Sequence, residues 1–292
     1  MNERPLVSIV VPCYNHENFV QETIQSIIDQ DYKNIELIII DDGSKDNSVS
    51  MIQKLVPACE ARFVRFEFRH RQNKGLCATL NEGLAWSRGQ YFSPSASDDI
   101  LEFDKISIQV NILNKEHTED IAGVFTGISI INESKEIIKI RGANKVIGFR
   151  EAFLRSALMP GQAFMAKRSI LNEVSGYNEN FKIEDLDLFL RICSAGYFLV
   201  SINKPLVYYR QHENNLSSNF NIMLDAVKNI LAQYSNNPLY AKALSNSIMI
   251  EAHGVQRSSK RKSWYVMFDA IKTYPLNIFS KSFVWYFIKF LK

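Results

Sequence analysis

The four cysteines of this 292-residue chain, Cys13, Cys59, Cys77 and Cys193, show neither C-x-x-C nor metal-finger spacing, which excludes a zinc ribbon and a disulfide-stapled scaffold. The N-terminal MNERPLVSIVV lacks the basic start and cleavage site of a signal peptide. The most apolar run, 283–291, is nine residues long and contains Lys289, whereas a membrane-spanning helix takes roughly 20 apolar residues. No G-x-G-x-x-G follows the first apolar run and no G-x-x-x-x-G-K-[ST] occurs anywhere, so the usual dinucleotide and P-loop phosphate cradles are excluded. The five histidines, His16, His70, His117, His212 and His253, have no H-E-x-x-H or paired spacing, so spacing alone assigns no histidine metal site. With 46% hydrophobic and 22% charged residues, what remains is a reduced, cytoplasmic globular protein with a large core, forming one large domain or two modest ones.

The formal net charge of +3 conceals an asymmetry. Residues 254–292 carry eight Lys/Arg against one acid, Asp269, and ten of the 34 aromatics, while the remainder has 26 basic and 30 acidic residues. Such a tail reads either as a packed helical subdomain or as a basic, aromatic, amphipathic surface lying on an anionic membrane. An acidic main domain without a basic stripe argues against a nucleic-acid partner.

The first hundred residues alternate strand-like and helix-like segments. Val7–Val11 is an apolar run ending at Pro12, followed by Phe19, Ile24, Ile27 and Ile28 at helical spacing. Glu36–Ile40 ends in Asp41-Asp42-Gly43-Ser44, with Asp46 placed to cap a helix through Leu55. Val64–Phe68, the helix Leu76–Trp86 and Tyr91–Phe92 follow, the last leading into Ser97-Asp98-Asp99. Fully apolar strands alternating with helices imply an α/β fold with a mostly parallel central sheet flanked by helices. In such sheets ligands sit beyond the carboxyl ends of the strands, where the unusual polar residues fall. Further on, helices are expected near Asp104–Leu113, Phe149–Ala157, Ser169–Val174 and Leu188–Ala195. Strands are expected at Ile121–Ile130, Glu136–Ile140, Ala163–Ala166, Phe198–Ile202 and Leu206–Arg210. Helical periodicity dominates beyond a boundary near 218, giving domains 1–218 and 219–292.

Asp98-Asp99, preceded by Ser95, Ala96 and Ser97, would present carboxylates at the sheet's mouth, where Mg²⁺ or Mn²⁺ is commonly held together with substrate phosphates; a capping turn is the alternative. Asp41-Asp42 with Asn15 could frame a nucleoside, or simply form a turn. Glu184-Asp185-x-Asp187 opens a helix, where acids gain from the dipole, and a carboxylate there could serve as a general base.

Together and in this order, the stretches VSIVVPCYNHENFVQETIQSIIDQDYKNIELIIIDDGSKDNS, NKGLCATLNEGLAWSRGQYFSPSASDD, GYNENFKIEDLDLFLRICSAGY and YYRQHENNLS resemble glycosyltransferase family 2, over roughly residues 5–218. The resemblance implies a GT-A fold and an inverting transfer of one sugar from a UDP-sugar to a hydroxyl of a glycan acceptor. The acceptor it implies is polyprenyl-diphosphate-linked, in bacterial O-antigen, lipopolysaccharide or capsule assembly at the cytoplasmic face of the inner membrane. It assigns Pro12, Tyr14, Asn15, Asp41 and Asp42 to the nucleoside pocket, Asp98 to the ribose and, with Asp99, to a Mn²⁺ or Mg²⁺ ion. Asp185 is the implied base with Glu184 its partner, and Arg210 and His212 match a basic motif near the diphosphate or a closing loop. Ala96 stands where the family's fuller motif has an acid and Leu80 where many members have arginine, which keeps an inactive nucleotide-sugar-binding protein as the alternative. No Q-x-x-R-W of processive synthases is present.

Overall fold

The computed structural model describes residues 4–115, 118–212, 215, 219–256 and 259–291, with the side chain of residue 291 excepted. The first half alternates β1 (Val7–Cys13), α1 (Val20–Ile28), β2 (Ile35–Asp41), α2 (Ser48–Gln53), α3 (Val56–Arg62), β3 (Arg65–His70), α4 (Leu76–Trp86) and β4 (Tyr91–Pro94). The middle contains β5 (Ile100–Leu101), α5 (Lys105–Leu113), β6 (Ile121–Ile131), β7 (Ile137–Arg141), β8 (Lys145–Ile147), α6 (Phe149–Phe153), β9 (Phe164–Lys167), α7 (Arg168–Glu173), α8 (Asp185–Ser194) and β10 (Phe198–Arg210). Four helices close the chain: α9 (Phe220–Ala232), α10 (Tyr240–Val255), α11 (Lys260–Thr273) and α12 (Lys281–Leu291).

Among the described residues the strands form one sheet in the order β3-β2-β1-β4-β9-β6-β10-β5, with β7 on β6 and β8 on β10. Strands β3, β2, β1 and β4 pair in parallel, β9 runs against both β4 and β6, and β6 and β10 pair in parallel. The antiparallel joint at β9 therefore leaves β1, β2, β4, β6 and β10 all pointing the same way. Their carboxyl ends share one edge, and loops far apart in sequence are delivered there.

Side-chain alternation sends Val10, Ile38, Ile40 and Phe92 to one face, under α4, α8 and α9. Ile9, Val11, Leu37, Ile39 and Tyr91 go to the other, under α1 and α5. Burial on both faces explains why the central strands read as continuous apolar runs.

The structure departs from the periodicity at identifiable points. The helix expected to reach Leu55 stops at Gln53 and a new one starts at Val56, because Pro57 is accommodated only in a first helical turn. The helix at Phe149 ends at Phe153, short of Ala157, beside Arg155 in the left-handed region at φ 48°. The expected strands at 198–202 and 206–210 are one strand, β10, with register shifts against β6 around Pro205. Helix α8 begins at Asp185, a turn before the first periodic leucine.

The boundary near 218 lies outside the described residues. Beyond it, Val227, Ile230 and Leu231 of α9 join the same core cluster as Phe153 and Leu188. Helices α10–α12 build a third cluster around Met249, Met267 and Tyr286, whose hydroxyl meets Ser263 Oγ at 2.7 Å. No helix among the described residues is long and apolar enough to cross a membrane.

Candidate functional site

The ends of β1 and β2 form the first wall of the site. Asn15 takes a left-handed φ of 56°, held by its N–H donating to Ser44 Oγ (2.8 Å) and its Oδ1 accepting from Lys45 N–H (2.8 Å). Gly43, at φ 79°, is required because a Cβ would lie 2.7 Å from Asn73 N. Asp41 is wholly buried and accepts from Ser44 N–H (3.0 Å) while contacting His70 Nδ1 (2.8 Å), so it builds the turn. Asp42 is also occupied: it accepts from the N–H groups of Lys74 (2.8 Å) and Gly75 (2.9 Å) and pairs with Arg71. Both carboxylates are thus engaged by the protein itself, Asp42 through Arg71 and Lys74 at Oδ1 and Gly75 N–H at Oδ2. Tyr14, by contrast, is exposed just beyond β1.

The second wall lies beyond β1, β4 and β10, where His16 Nε2, Asp98 Oδ2 and His212 Nε2 all fall within 4.8 Å of one another. Asp98 Oδ2 is 3.0 Å from His212 Nε2 and 4.0 Å from His16 Nε2. His16 Nδ1 is engaged by Ser97 Oγ at 2.7 Å, which aims Nε2 at the cluster. Two imidazoles and a carboxylate converging on one point fit a divalent cation that accepts nitrogen ligands. The ligand pair expected at Asp98 and Asp99 is not the arrangement present. Asp99 is buried, its Oδ1 accepting from Arg210 N–H (2.9 Å) and its Oδ2 without a hydrogen-bond partner among the described residues; burial and the neighbouring Asp98 charge raise its pKa well above the usual range.

Arg210, expected near a diphosphate, is buried instead. Its Nε donates to the Asp98 carbonyl (3.0 Å), its Nη2 pairs with Glu22 (2.7 Å), and its guanidinium lies over Phe19. It holds the acidic turn from behind.

The third wall is the start of α8. Glu184 and Asp185 line a cavity of about 130 Å³ together with Pro12, Leu80, Ala96 and Gly161. Asp185 Oδ1 accepts from Leu186 N–H at 2.6 Å, and Gly161 packs closely on the residue, since a Cβ there would stand 3.2 Å from Asp185 Cβ. Burial, and then the Asp185 charge, push the Glu184 carboxyl up to about 8. Burial also raises Asp185, opposed by the Leu186 N–H and the Arg155 charge. Two adjacent carboxyls of this kind favour sharing one proton.

Sequence reasoning missed His16, whose spacing pairs with nothing. The strand-end rule that picked out Tyr14 and Asn15 would have reached it at the very next residue. It also missed Arg71 and Arg155, for which no local signal exists.

The co-directional strand ends, the acidic turn beyond β4 and the acidic helix start opposite define the class: a GT-A fold. S. aureus TarS residues 1–349, in complex with UDP-GlcNAc, matches with a TM-score of 0.60 at 15% identity, covering 92% of this chain and 89% of that one. The mannosyltransferase PcManGT from Pyrobaculum calidifontis, in complex with GDP-Man and Mn²⁺, matches at 0.62 and 15%, covering 99% and 87%. The family model for glycosyl transferase family 2 matches residues 8–175, and the chain belongs to that family. An uncharacterized glycosyltransferase of Rickettsia felis is 32% identical over 196 residues, which are 64% of this chain and 31% of that protein. The chain thus spans about a third of that relative's length. TuaG of Bacillus subtilis, a putative teichuronic acid biosynthesis glycosyltransferase, is 26% identical over 219 residues, 75% of this chain and 84% of TuaG.

The raised Glu184 pKa makes a prediction about stability. The native state keeps a proton that the unfolded chain releases in the ordinary carboxylate range, so stability falls as pH climbs from that range toward about 8. Glu184→Gln is expected to flatten this decline in thermal melts across that window. An unchanged slope would show that Glu184 does not hold the extra proton.

Proposed function

We propose that the protein is an inverting, metal-dependent transferase that moves one sugar from a UDP-sugar to a hydroxyl of a lipid-linked glycan in bacterial surface-polysaccharide assembly. The observation carrying this is the single cavity in which Pro12 and Ala96, from the strand ends, face Glu184 and Asp185 from α8. Tyr14, Asn15 and the Asp41-Asp42 turn lie at the nucleoside end, the base meeting the Asp42 carboxylate beside Arg71. Asp185 takes the proton of the acceptor hydroxyl, and Glu184 shares the negative charge of the pair. The acceptor oxygen then forms its bond to the anomeric carbon as the bond to UDP breaks, the electron pair leaving with UDP. Attack from the face opposite the nucleotide turns an α-linked donor into a β-glycoside. His16, Asp98 and His212 would hold a divalent ion, which when bound offsets the charge on the departing diphosphate. The two imidazoles favour Mn²⁺ over Mg²⁺. The TarS complex with UDP-GlcNAc supports the donor class, PcManGT with Mn²⁺ the ion, and TuaG the biosynthetic setting.

UDP release from UDP-sugars with Mn²⁺ and a lipid-linked acceptor tests this. Asp185→Asn is expected to reduce it by about 10²-fold or more. Equal rates in both proteins would remove Asp185 as base, and no release with any donor would favour the binding-protein reading.

The tail gives a reason for the enzyme to work at a membrane face. On α11 one stripe exposes Arg261, Lys262, Tyr265, Phe268 and Lys272, and on α12 another exposes Lys281, Val284, Trp285, Ile288 and Lys289. The connecting turn carries Phe279, 79% exposed. Cations bracketing apolar side chains suit an anionic bilayer surface. Phe279→Asp combined with Trp285→Asp is expected to abolish flotation with anionic vesicles; undiminished flotation would refute the membrane reading.

A further inference from the structure

The cavity of about 130 Å³ between the strand ends and α8 divides its chemistry by element. Glu184 and Asp185 enter from the start of α8, and Tyr177 lines it too, its phenol pushed up by burial and then by the Glu184 charge. Gln162, in the turn before β9, brings an amide N–H₂ and an amide C=O, and no described residue bonds either of them. The wall built by β1, α4 and the end of β4 is carbon, from Pro12, Leu76, Leu80 and Ala96. Ser95 adds no open hydroxyl there, since its Oγ is buried away from solvent.

Ala96 and Leu80 are also the two positions that depart from the family pattern, one lacking an acid and the other an arginine, and both line this one cavity. Two charged side chains missing from the same wall turn it apolar together. Such a wall changes what the cavity admits. A sugar hydroxyl turned onto Leu80 and Ala96 would give up its water and gain no partner, which disfavours it. A methyl group set there gains by leaving water. An acetamido substituent answers both parts of the cavity, with a methyl for the carbon wall and an N–H and a C=O for the unbonded Gln162 amide.

We propose that this cavity receives the acetamido group of a 2-acetamido sugar, its methyl against Leu80 and Ala96 and its amide on the Gln162 side chain. The assignment rests on the transferase reading and adds to it the class of sugar. Donor and acceptor sugars meet at Asp185, so either could carry the group, and the test has an arm for each.

Both arms use the full chain with Mn²⁺ and isothermal titration. In the donor arm, UDP-GlcNAc is compared with UDP-glucose, and UDP-GalNAc with UDP-galactose. In the acceptor arm, the protein is first saturated with UDP, and octyl N-acetylglucosaminide is compared with octyl glucoside. In at least one arm the acetamido ligand is expected to bind about tenfold or more tightly than its hydroxyl counterpart. Gln162→Ala is expected to remove about tenfold of that preference. Ala96→Leu, at a position where the family's fuller motif already holds a larger residue, fills the cavity and is expected to abolish it. Both variants are expected to keep the wild-type affinity for UDP, which also reports that they are folded. The proposal is overturned if neither arm favours the acetamido ligand, or if the preference survives in both variants. Weakening of UDP by as much as the acetamido ligand would place these residues at the nucleotide and overturn it as well. A protein that binds neither UDP nor any UDP-sugar fails the transferase reading itself, and this assignment falls with it.

Discussion

The site depends on the burial of one charge. Arg210, 1% exposed at the end of β10, donates to the Asp98 carbonyl, pairs with Glu22 of α1, and offers its own N–H to Asp99. A guanidinium taken out of water is tolerated only when its donors are met, and removing a partner typically costs about 3–5 kcal/mol. The requirement locks the Asp98-Asp99 turn, α1 and the β10 end into one arrangement. The same guanidinium lies 5.0 Å from the Phe19 ring, which stacks on His212 at 5.0 Å. The clamp thus extends to the imidazole that faces Asp98.

With that turn fixed, the sheet topology supplies the rest. Strands β1, β4 and β10 end on a common edge because β9 reverses between β4 and β6. His16, Asp98 and His212 meet there despite separations of up to 196 positions in the chain. Across the cavity, the first turn of α8 brings two carboxyls whose burial makes them proton acceptors more avid than ordinary acids. Polarity is divided accordingly: two imidazoles and a carboxylate gather at the strand ends, and two buried carboxyls at the helix start.

Much of this was legible in the sequence, for physical reasons. Doubly buried parallel strands write themselves as apolar runs, so β1 and β2 were readable, and the strand-end rule selected Tyr14-Asn15, Asp41-Asp42 and Asp98-Asp99. Hydrogen-bond allocation was not readable. Which of two adjacent aspartates faces the cavity depends on Arg210, and whether Asp42 is open depends on Arg71; both partners are remote in sequence. His16 was reachable by the strand-end rule, directly after Asn15, but its convergence with Asp98 and His212 was not, because those lie beyond other strands. In the tail, composition could not separate Trp264 and Tyr286, which pack inward, from Tyr265, Phe268 and Trp285, which do not. That division follows from the helix phase relative to α10.

The central claim is that the cation corner is His16, Asp98 and His212, set beside the Asp185 cavity. Anomalous diffraction from crystals grown with UDP and Mn²⁺ tests it most directly. The account predicts one manganese peak within bonding distance of Asp98 Oδ2 and His212 Nε2, on the same side of the sheet as Asp185. A peak coordinated by Asp99 instead, or a UDP complex whose manganese lies away from both histidines, would contradict it.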